Sequence, residues 1–93
     1  MKLTSEDKKL LTKWGYPEED FNQIERATAK TKTTYELSEN GKIQNKITAN
    51  EAIDILGRED YLSGISRSAF HFSACRENAQ GQRVYFDSSK LFK

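Results

Sequence analysis

Apolar residues recur at helical spacing in the segment 47–57 (ITANEAIDILG), which is the best-specified part of the chain. They fall at i, i+3, i+4 and i+7 and so share one helix face: Ala49, Ala52, Ile53 and Leu56. Thr48 and Glu51 have the spacing of a capping box, in which each side chain bonds a backbone N–H at the helix start. Gly57 stands where a helix end favours positive φ. The pattern predicts a helix of about two turns, which depends on packing because so short a helix is unstable alone.

Two further helices are predicted before this segment. The first covers about residues 5–14, because Thr4 and Asp7 have the spacing of a helix cap and leucines follow on one side. The second covers about residues 17–29, where a proline suits the first turn and the acidic residues after it favour the positive end of the helix dipole. Together they predict an αα-hairpin with Trp14 between its helices.

From residue 31 onward the pattern changes to the alternation of a strand. The alternation reaches Leu37, pauses at the turn signal Asn40-Gly41 and resumes at Ile43, which predicts a β-hairpin. A strict two-residue turn would place Leu37 and Ile43 on opposite faces of this hairpin. A bulge, or a loop longer by one residue, would bring them to one face, and we expect that irregularity.

The segment after the capped helix is harder to assign. Residues 58–68 fit another helix, although a glycine and several serines weaken it, and residues 70–75 fit either a strand or a continuation of that helix. The clear strand pattern at 83–86 favours a second β-hairpin, over 70–86. Asp87 then has the position of a cap for a last helical turn.

These elements predict a single α+β domain over residues 1–93. It consists of an N-terminal αα-hairpin, a β-hairpin, the short capped helix, a second β-hairpin and a C-terminal helical turn. With 35% hydrophobic and 31% charged residues, the chain can bury a core but has little apolar surface to spare. We expect that core to include Trp14, Ile53, Leu56, Phe72 and Val84.

Charge limits the kinds of partner that we expect, and cysteine content indicates the compartment. A net charge of +1, from 15 basic and 14 acidic residues, argues against a strongly basic nucleic-acid coat and against an acidic DNA mimic. The part after residue 58 is rich in arginine, which suits forked recognition of phosphate or carboxylate. Cys75 is the one cysteine, so we expect a reducing compartment. Without a membrane-length apolar run or a signal-peptide pattern, we expect a cytoplasmic protein with no membrane partner.

The common catalytic and phosphate-binding motifs do not occur in the sequence. His71 and Cys75 are four residues apart and would share one face of a strand, as a nucleophile and its base would. A zinc site there would need two further ligands, which only carboxylates could supply. A buried thiol and a hydrogen-bonded histidine are the simpler interpretation, so we expect a non-enzymatic protein without metal or cofactor.

One resemblance points to DNA. Residues 47–57 resemble the opening helix of excisionase-like and MerR-like winged-helix domains, and residues 83–91 (RVYFDSSKL) are similar to their wing-exit strand and helix cap. The resemblance covers about half the chain and implies a DNA-binding regulator whose recognition helix carries Arg67, Ser68 and His71. The chain departs from that family at residues 58–64, which stand where the family has a tight turn.

A second resemblance points to mobile elements. Residues 57–72 (GREDYLSGISRSAFHF) and 85–93 (YFDSSKLFK) resemble small proteins of bacterial prophages and conjugative elements. This implies a host-defence inhibitor of the anti-CRISPR type, or an accessory factor, that covers a surface of a host protein or nucleoprotein complex. Such an interface needs about 800 Å² from each partner.

Aromatic residues and arginines would anchor that interface. The candidates are Tyr16, Arg58, Tyr61, Arg67, His71, Arg76 and Tyr85. We place the inhibitor before the DNA-binding regulator, because phosphate contacts supply most non-specific DNA affinity and this chain has few unopposed cations.

Overall fold

A four-stranded antiparallel sheet with helices on one face forms the framework of the protein. The computed structural model describes residues 2–36 and 43–92, and within these ranges no helix combines the length and apolar character needed to cross a membrane. In chain order the elements are α1 (Ser5–Lys13), a 3-10 helix (Glu18–Asp20), α2 (Phe21–Lys30), β1 (Lys32–Glu36), β2 (Ile43–Ile47), α3 (Ala49–Leu56), α4 (Arg58–His71), β3 (Ser73–Glu77), β4 (Arg83–Asp87) and a second 3-10 helix (Ser89–Phe92). The predicted α+β class and order of elements are confirmed.

The two hairpins join into one sheet with strand order β2-β1-β4-β3. The first and second hairpins meet where β1 pairs with β4, so β2 and β3 are the two edges. The irregularity expected in the first hairpin is present as a register shift between Tyr35 and Glu36. The predicted turn at Asn40-Gly41, and Leu37 beside it, lie outside the described residues.

The predicted caps of α1 and α3 are both present as capping boxes. The Thr48 hydroxyl accepts a hydrogen bond from the Glu51 backbone N–H at 3.1 Å, and the Glu51 carboxylate accepts one from the Thr48 N–H at 3.0 Å. Thr4 and Asp7 form the same reciprocal pair at the start of α1. Gly57 ends α3 and is followed directly by α4. It has φ 85°, a backbone conformation that glycine adopts readily because it has no Cβ.

The helix α4 is the centre of the core, because the sheet covers one side of it and α1 and α2 pack on another. Its buried residues are Tyr61, Leu62, Gly64, Ile65, Ser66, Ser68 and Ala69. The serines tolerate burial since their hydroxyls donate within the helix, from Ser66 to the Ser63 carbonyl at 3.0 Å and from Ser68 to the Ile65 carbonyl at 3.1 Å.

Two expected core residues, Trp14 and Ile53, are half-buried at the margin of the core. Trp14 does not lie between the two N-terminal helices, because α1 and α2 pack mainly on α4 rather than on each other. Leu56 and Val84 are buried as predicted.

The ambiguous segment after residue 70 contains a helix end and then a strand. The helix α4 continues to His71, and β3 begins only at Ser73, three residues later than the predicted hairpin. Between them Phe72 has φ 66°, and its carbonyl accepts hydrogen bonds from the Ser88 N–H at 2.7 Å and the Ser88 hydroxyl at 3.0 Å. This reversal turns Phe72 outward, where it is 57% exposed and its ring contacts that of Phe92 in a tilted pair, so its assignment to the core is wrong.

The face of the sheet turned away from the helices is the open face. Cross-strand register and burial place on it a set of exposed or half-buried residues: Lys32, Thr34, Lys46, Ser73, Cys75, Glu77, Arg83, Tyr85 and Asp87. None of these residues is buried, whereas Thr33, Ile47, Val84 and Phe86, which alternate with them along the strands, are buried on the side of the helices.

Replacing Gly64 with alanine should destabilise the protein, although alanine is the better helix former. A Cβ on Gly64 would stand 2.6 Å from Cζ and 2.8 Å from Cδ2 of Phe86, a ring that is itself only 1% exposed. Overpacking costs about 1–3 kcal/mol, and because three ring atoms lie within 3.0 Å of this Cβ we expect the upper part of that range, about 2–3 kcal/mol. The gain in helix propensity is about 1 kcal/mol. We expect a net loss of about 1–2 kcal/mol in the free energy of unfolding, measured with urea.

A double-variant cycle checks the cause of that loss. In a Phe86→Leu background the ring is absent, so Gly64→Ala should cost less than it does in the natural chain. A Gly64→Ala protein as stable as the natural one would contradict this account of the core.

Candidate functional site

Two of the predicted arginines meet in one open cleft at the β3 edge of the sheet. Trp14, Tyr16, Ser63, Ser66, Arg67 and Arg76 line this cleft, whose volume is about 200 Å³. We call it the arginine cleft. Its walls combine two guanidinium groups, two hydroxyl groups and two aromatic rings, drawn from the α1–α2 connection, α4 and β3.

The guanidinium of Arg76 is held in place by α4. Its Nε and Nη2 atoms donate to the Ser63 hydroxyl at 3.1 and 3.0 Å, and its Nη1 atom donates to the Cys75 carbonyl at 2.7 Å. Arg67 lies one helical turn after Ser63 on the same side of α4, and its side chain is exposed. One arginine of the cleft is therefore positioned by the fold, and the other extends from the rim.

The aromatic side of the cleft is built by the end of α1. Trp14 caps that helix through its backbone N–H, which donates to the Leu10 carbonyl at 2.9 Å. Gly15 turns the chain at φ 95°, and the Tyr16 ring then stacks on Phe70 with ring centroids 6.1 Å apart. Both Trp14 and Tyr16 are half-buried, so each presents part of its ring to the cleft.

The lining of the cleft suits binding. Arginine guanidinium groups recognise carboxylate or phosphate oxygens with two parallel hydrogen bonds, and the neighbouring rings offer flat apolar area. The lining residues include no histidine, cysteine or carboxylate, the side chains that most often act as a general base or an activated nucleophile. Elsewhere in the described ranges, no three His, Cys, Asp or Glu side chains come together as metal ligands would.

Tyr61 is not available as a surface anchor, contrary to the sequence-based expectation. It is 2% exposed, and its ring packs on Phe86 with centroids 5.9 Å apart. Burial raises the pKa of its hydroxyl to about 12. The reason is the central position of α4. The helical spacing of Tyr61, Ile65 and Ala69 indicates a shared apolar face but not how deeply the packing of the other elements buries it.

The remaining candidates are scattered. His71 is exposed at the last residue of α4, whereas Tyr85 is half-buried on the open face together with the exposed Cys75. His71 and Cys75 therefore do not share a strand face, because the chain reverses at Phe72 between them. The expectation of a buried thiol is also wrong.

Arg58 joins α4 to α1. Its Nε and Nη2 atoms donate to the two carboxylate oxygens of Asp7 at 3.0 and 2.7 Å, in a bidentate ion pair. Burial of Asp7 tends to raise its pKa, but the hydrogen bonds from Arg58 and from the Thr4 backbone outweigh burial and hold this pKa below its ordinary value of 3.8. The side chain of Asp7 is 3% exposed, so Arg58 neutralises a buried charge.

The sequence indicates Arg67, Arg76 and Tyr16 as surface residues but does not indicate that they meet. It predicts a core position for Trp14 and no binding role for Ser63 or Ser66. The helical spacing of Ser63 and Arg67 was a usable signal for a shared face. The contribution of β3 depended on sheet pairing, which that spacing does not reveal.

Losing the Asp7–Arg58 pair should destabilise the fold in a pH-dependent way. A carboxyl with a depressed pKa in the folded state contributes stability above its unfolded pKa and loses that contribution as pH falls through the folded pKa. We therefore expect the difference in free energy of unfolding between the natural protein and Asp7→Asn to shrink as pH falls below about 5 and to disappear below the folded pKa, which is itself below 3.8. At pH 7, Arg58→Ala should cost about 2 kcal/mol, because it strands a buried carboxylate.

Urea unfolding at several pH values measures both effects. Arg26→Ala, which removes an exposed arginine from α2, is the control and should change little. Equal acid dependence of the natural protein and Asp7→Asn would show that this pair does not set the acid response.

Comparison with known proteins adds no homologue to this description. No protein-family model matches the chain, and neither a curated protein nor a solved structure matches it.

Proposed function

We propose that this chain is a non-catalytic, cytoplasmic binding protein of a prophage or conjugative element. In this proposal it uses the arginine cleft to cover a functional surface of a host defence protein or nucleoprotein complex. The observation that supports the proposal is the convergence of Trp14, Tyr16, Arg67 and Arg76 at one accessible edge of the domain. Trp, Tyr and Arg are the residue types that contribute most to binding energy at protein interfaces.

The cleft is prepared for binding before a partner arrives. Ser63 holds the guanidinium of Arg76, and Phe70 supports the ring of Tyr16. Groups already held in place lose less conformational entropy when they bind. Arg67 is the exposed charge at the rim, so it is the anchor that can be changed with least risk to the fold.

The size of the domain suits inhibition by occlusion. A specific interface takes about 800 Å² from each partner, which is about one-seventh of the 5864 Å² surface of this chain. The rest of the domain would project from the partner and block access by its bulk. This mechanism needs no catalytic group.

The winged-helix regulator is the alternative, and three observations count against it. A recognition helix lays one face in the DNA major groove, but α4 is covered by the sheet and by α1 and α2. Ser68, expected to read DNA beside Arg67 and His71, is 0% exposed. The second hairpin is also paired through β4 with β1, so it is part of the sheet rather than a projecting wing.

A charge reversal at Arg67 tests the proposal. Conjugation or phage infection is measured in a host with an active nuclease-based defence and in an otherwise identical host without it. We expect the natural chain to raise efficiency only in the defended host, and Arg67→Glu to remove at least 90% of that gain, because hot-spot anchors contribute about 2 kcal/mol or more. Arg26→Glu is the control of equal charge change and should still protect.

A DNA titration separates occlusion from DNA binding by the arginine cleft. Titration against random duplex DNA at two salt concentrations should show no salt-dependent binding that requires Arg67 and Arg76. Steep salt dependence that disappears in an Arg67→Ala/Arg76→Ala variant would favour the DNA-binding regulator. Protection by Arg67→Glu equal to that by the natural chain would contradict a role for the arginine cleft.

A further inference from the structure

Four lysines from three separate stretches of the chain converge at the side of the domain opposite the arginine cleft. Lys30, Lys32, Lys46 and Lys90, with Ala29 and Thr31, line an open cleft of about 360 Å³ between the end of α2, the strands β1 and β2, and the C-terminal 3-10 helix. We call it the lysine cleft. Because β2 and β3 are opposite edges of the sheet, the lysine and arginine clefts face different sides of the molecule.

The lysine cleft concentrates positive charge in a nearly neutral chain. The net charge is +1, so everything outside these four lysines carries a net charge of −3. No carboxylate is among the lining residues. Asp87 pairs with Lys32 across the strands at the border of the cleft, and its Oδ1 accepts a hydrogen bond from the Ser89 N–H at 3.0 Å. Charge gathered in this way attracts a polyanion even though the whole chain is almost neutral.

The lysine cleft continues into the open face of the sheet. Cross-strand register places Lys46, Thr34, Tyr85 and Cys75 in one row, one residue from each strand. Tyr85 is therefore on a central strand, two strands from Lys46, or about 10 Å at the usual strand spacing. A flexible chain of a few nucleotides can place a base on Tyr85 and its phosphates among the lysines.

We propose that the open face of the sheet binds single-stranded nucleic acid, with phosphates in the lysine cleft and a base stacked on Tyr85. A single strand exposes base faces for stacking on an aromatic side chain, whereas a duplex hides them. A duplex would meet only the lysines. This activity is separate from the proposed function, which depends on the arginine cleft.

Fluorescence anisotropy with labelled 12-nucleotide oligothymidine, single-stranded and in a duplex with oligoadenine, tests the proposal. The binding constant is measured between 50 and 200 mM salt for the natural chain and for Lys32→Ala/Lys46→Ala. Lys8→Ala/Lys9→Ala, which removes two exposed lysines from α1, is the matched control. Tyr85→Thr keeps a strand-forming residue and removes the ring, and thermal unfolding confirms that each variant is folded.

We expect single strands to bind more tightly than the duplex. Loss of two phosphate contacts should reduce the slope of log K against log salt by about 1.4 in Lys32→Ala/Lys46→Ala. Tyr85→Thr should weaken binding at least about fivefold with little change in slope, because it removes a stacking surface and no charge. The Lys8/Lys9 control and Arg67→Glu should bind as the natural chain does.

Three results would overturn the proposal. The first is no saturable binding of the single strand at 50 mM salt. The second is equal or tighter binding of the duplex, which would remove the role of base stacking. The third is loss of binding in the Lys8/Lys9 control or in Arg67→Glu to the same extent as in Lys32→Ala/Lys46→Ala, which would place the nucleic acid elsewhere. Defence protection by Arg67→Glu is scored separately, so either proposal can fail alone.

Discussion

The close approach of α4 to the sheet is the contact on which the rest of the structure depends. It is possible because Gly64 has no side chain where the ring of Phe86 packs against the helix. This contact allows α4 to bury residues on the sheet side and on the side of α1 and α2. A small domain buries a small fraction of its surface, so a helix that packs on two sides increases the apolar area that this domain can bury. Burial on two sides removes Ser66 and Ser68 from water, so their hydroxyls donate to backbone carbonyls within α4.

The position of α4 also decides what the surface can offer. A helix so deeply buried has few residues left for recognition, and Ser63 and Arg67 are used at the edge where β3 brings Arg76 beside them. The helices occupy one face of the sheet, so the other face stays open around Tyr85. The two candidate binding surfaces therefore differ in chemistry. One offers guanidinium groups and indole and phenol rings, and the other offers ammonium groups beside a sheet.

Net charge does not describe the local charge of this molecule. The near balance of 15 basic and 14 acidic residues argues against a strongly basic nucleic-acid coat, yet four lysines gather in one cleft without a lining carboxylate. Electrostatic attraction depends on local charge within about one Debye length, which is about 10 Å at moderate salt. The sum over the chain therefore says little about any one surface. Strand pairing, which joins residues far apart in sequence, determines the local value.

Local interactions were readable in the sequence, and long-range packing was not. The capping boxes at Thr4 and Thr48, the helix end at Gly57 and the irregular first hairpin each depend on a few neighbouring residues, and each was predicted correctly. The burial of Tyr61, the outward turn of Phe72 and the half-buried position of Trp14 depend on which elements pack together. So do the meetings of Arg67 with Arg76 and of Lys30 with Lys90. A helix pattern specifies which residues share a face, but only the tertiary structure decides what covers that face.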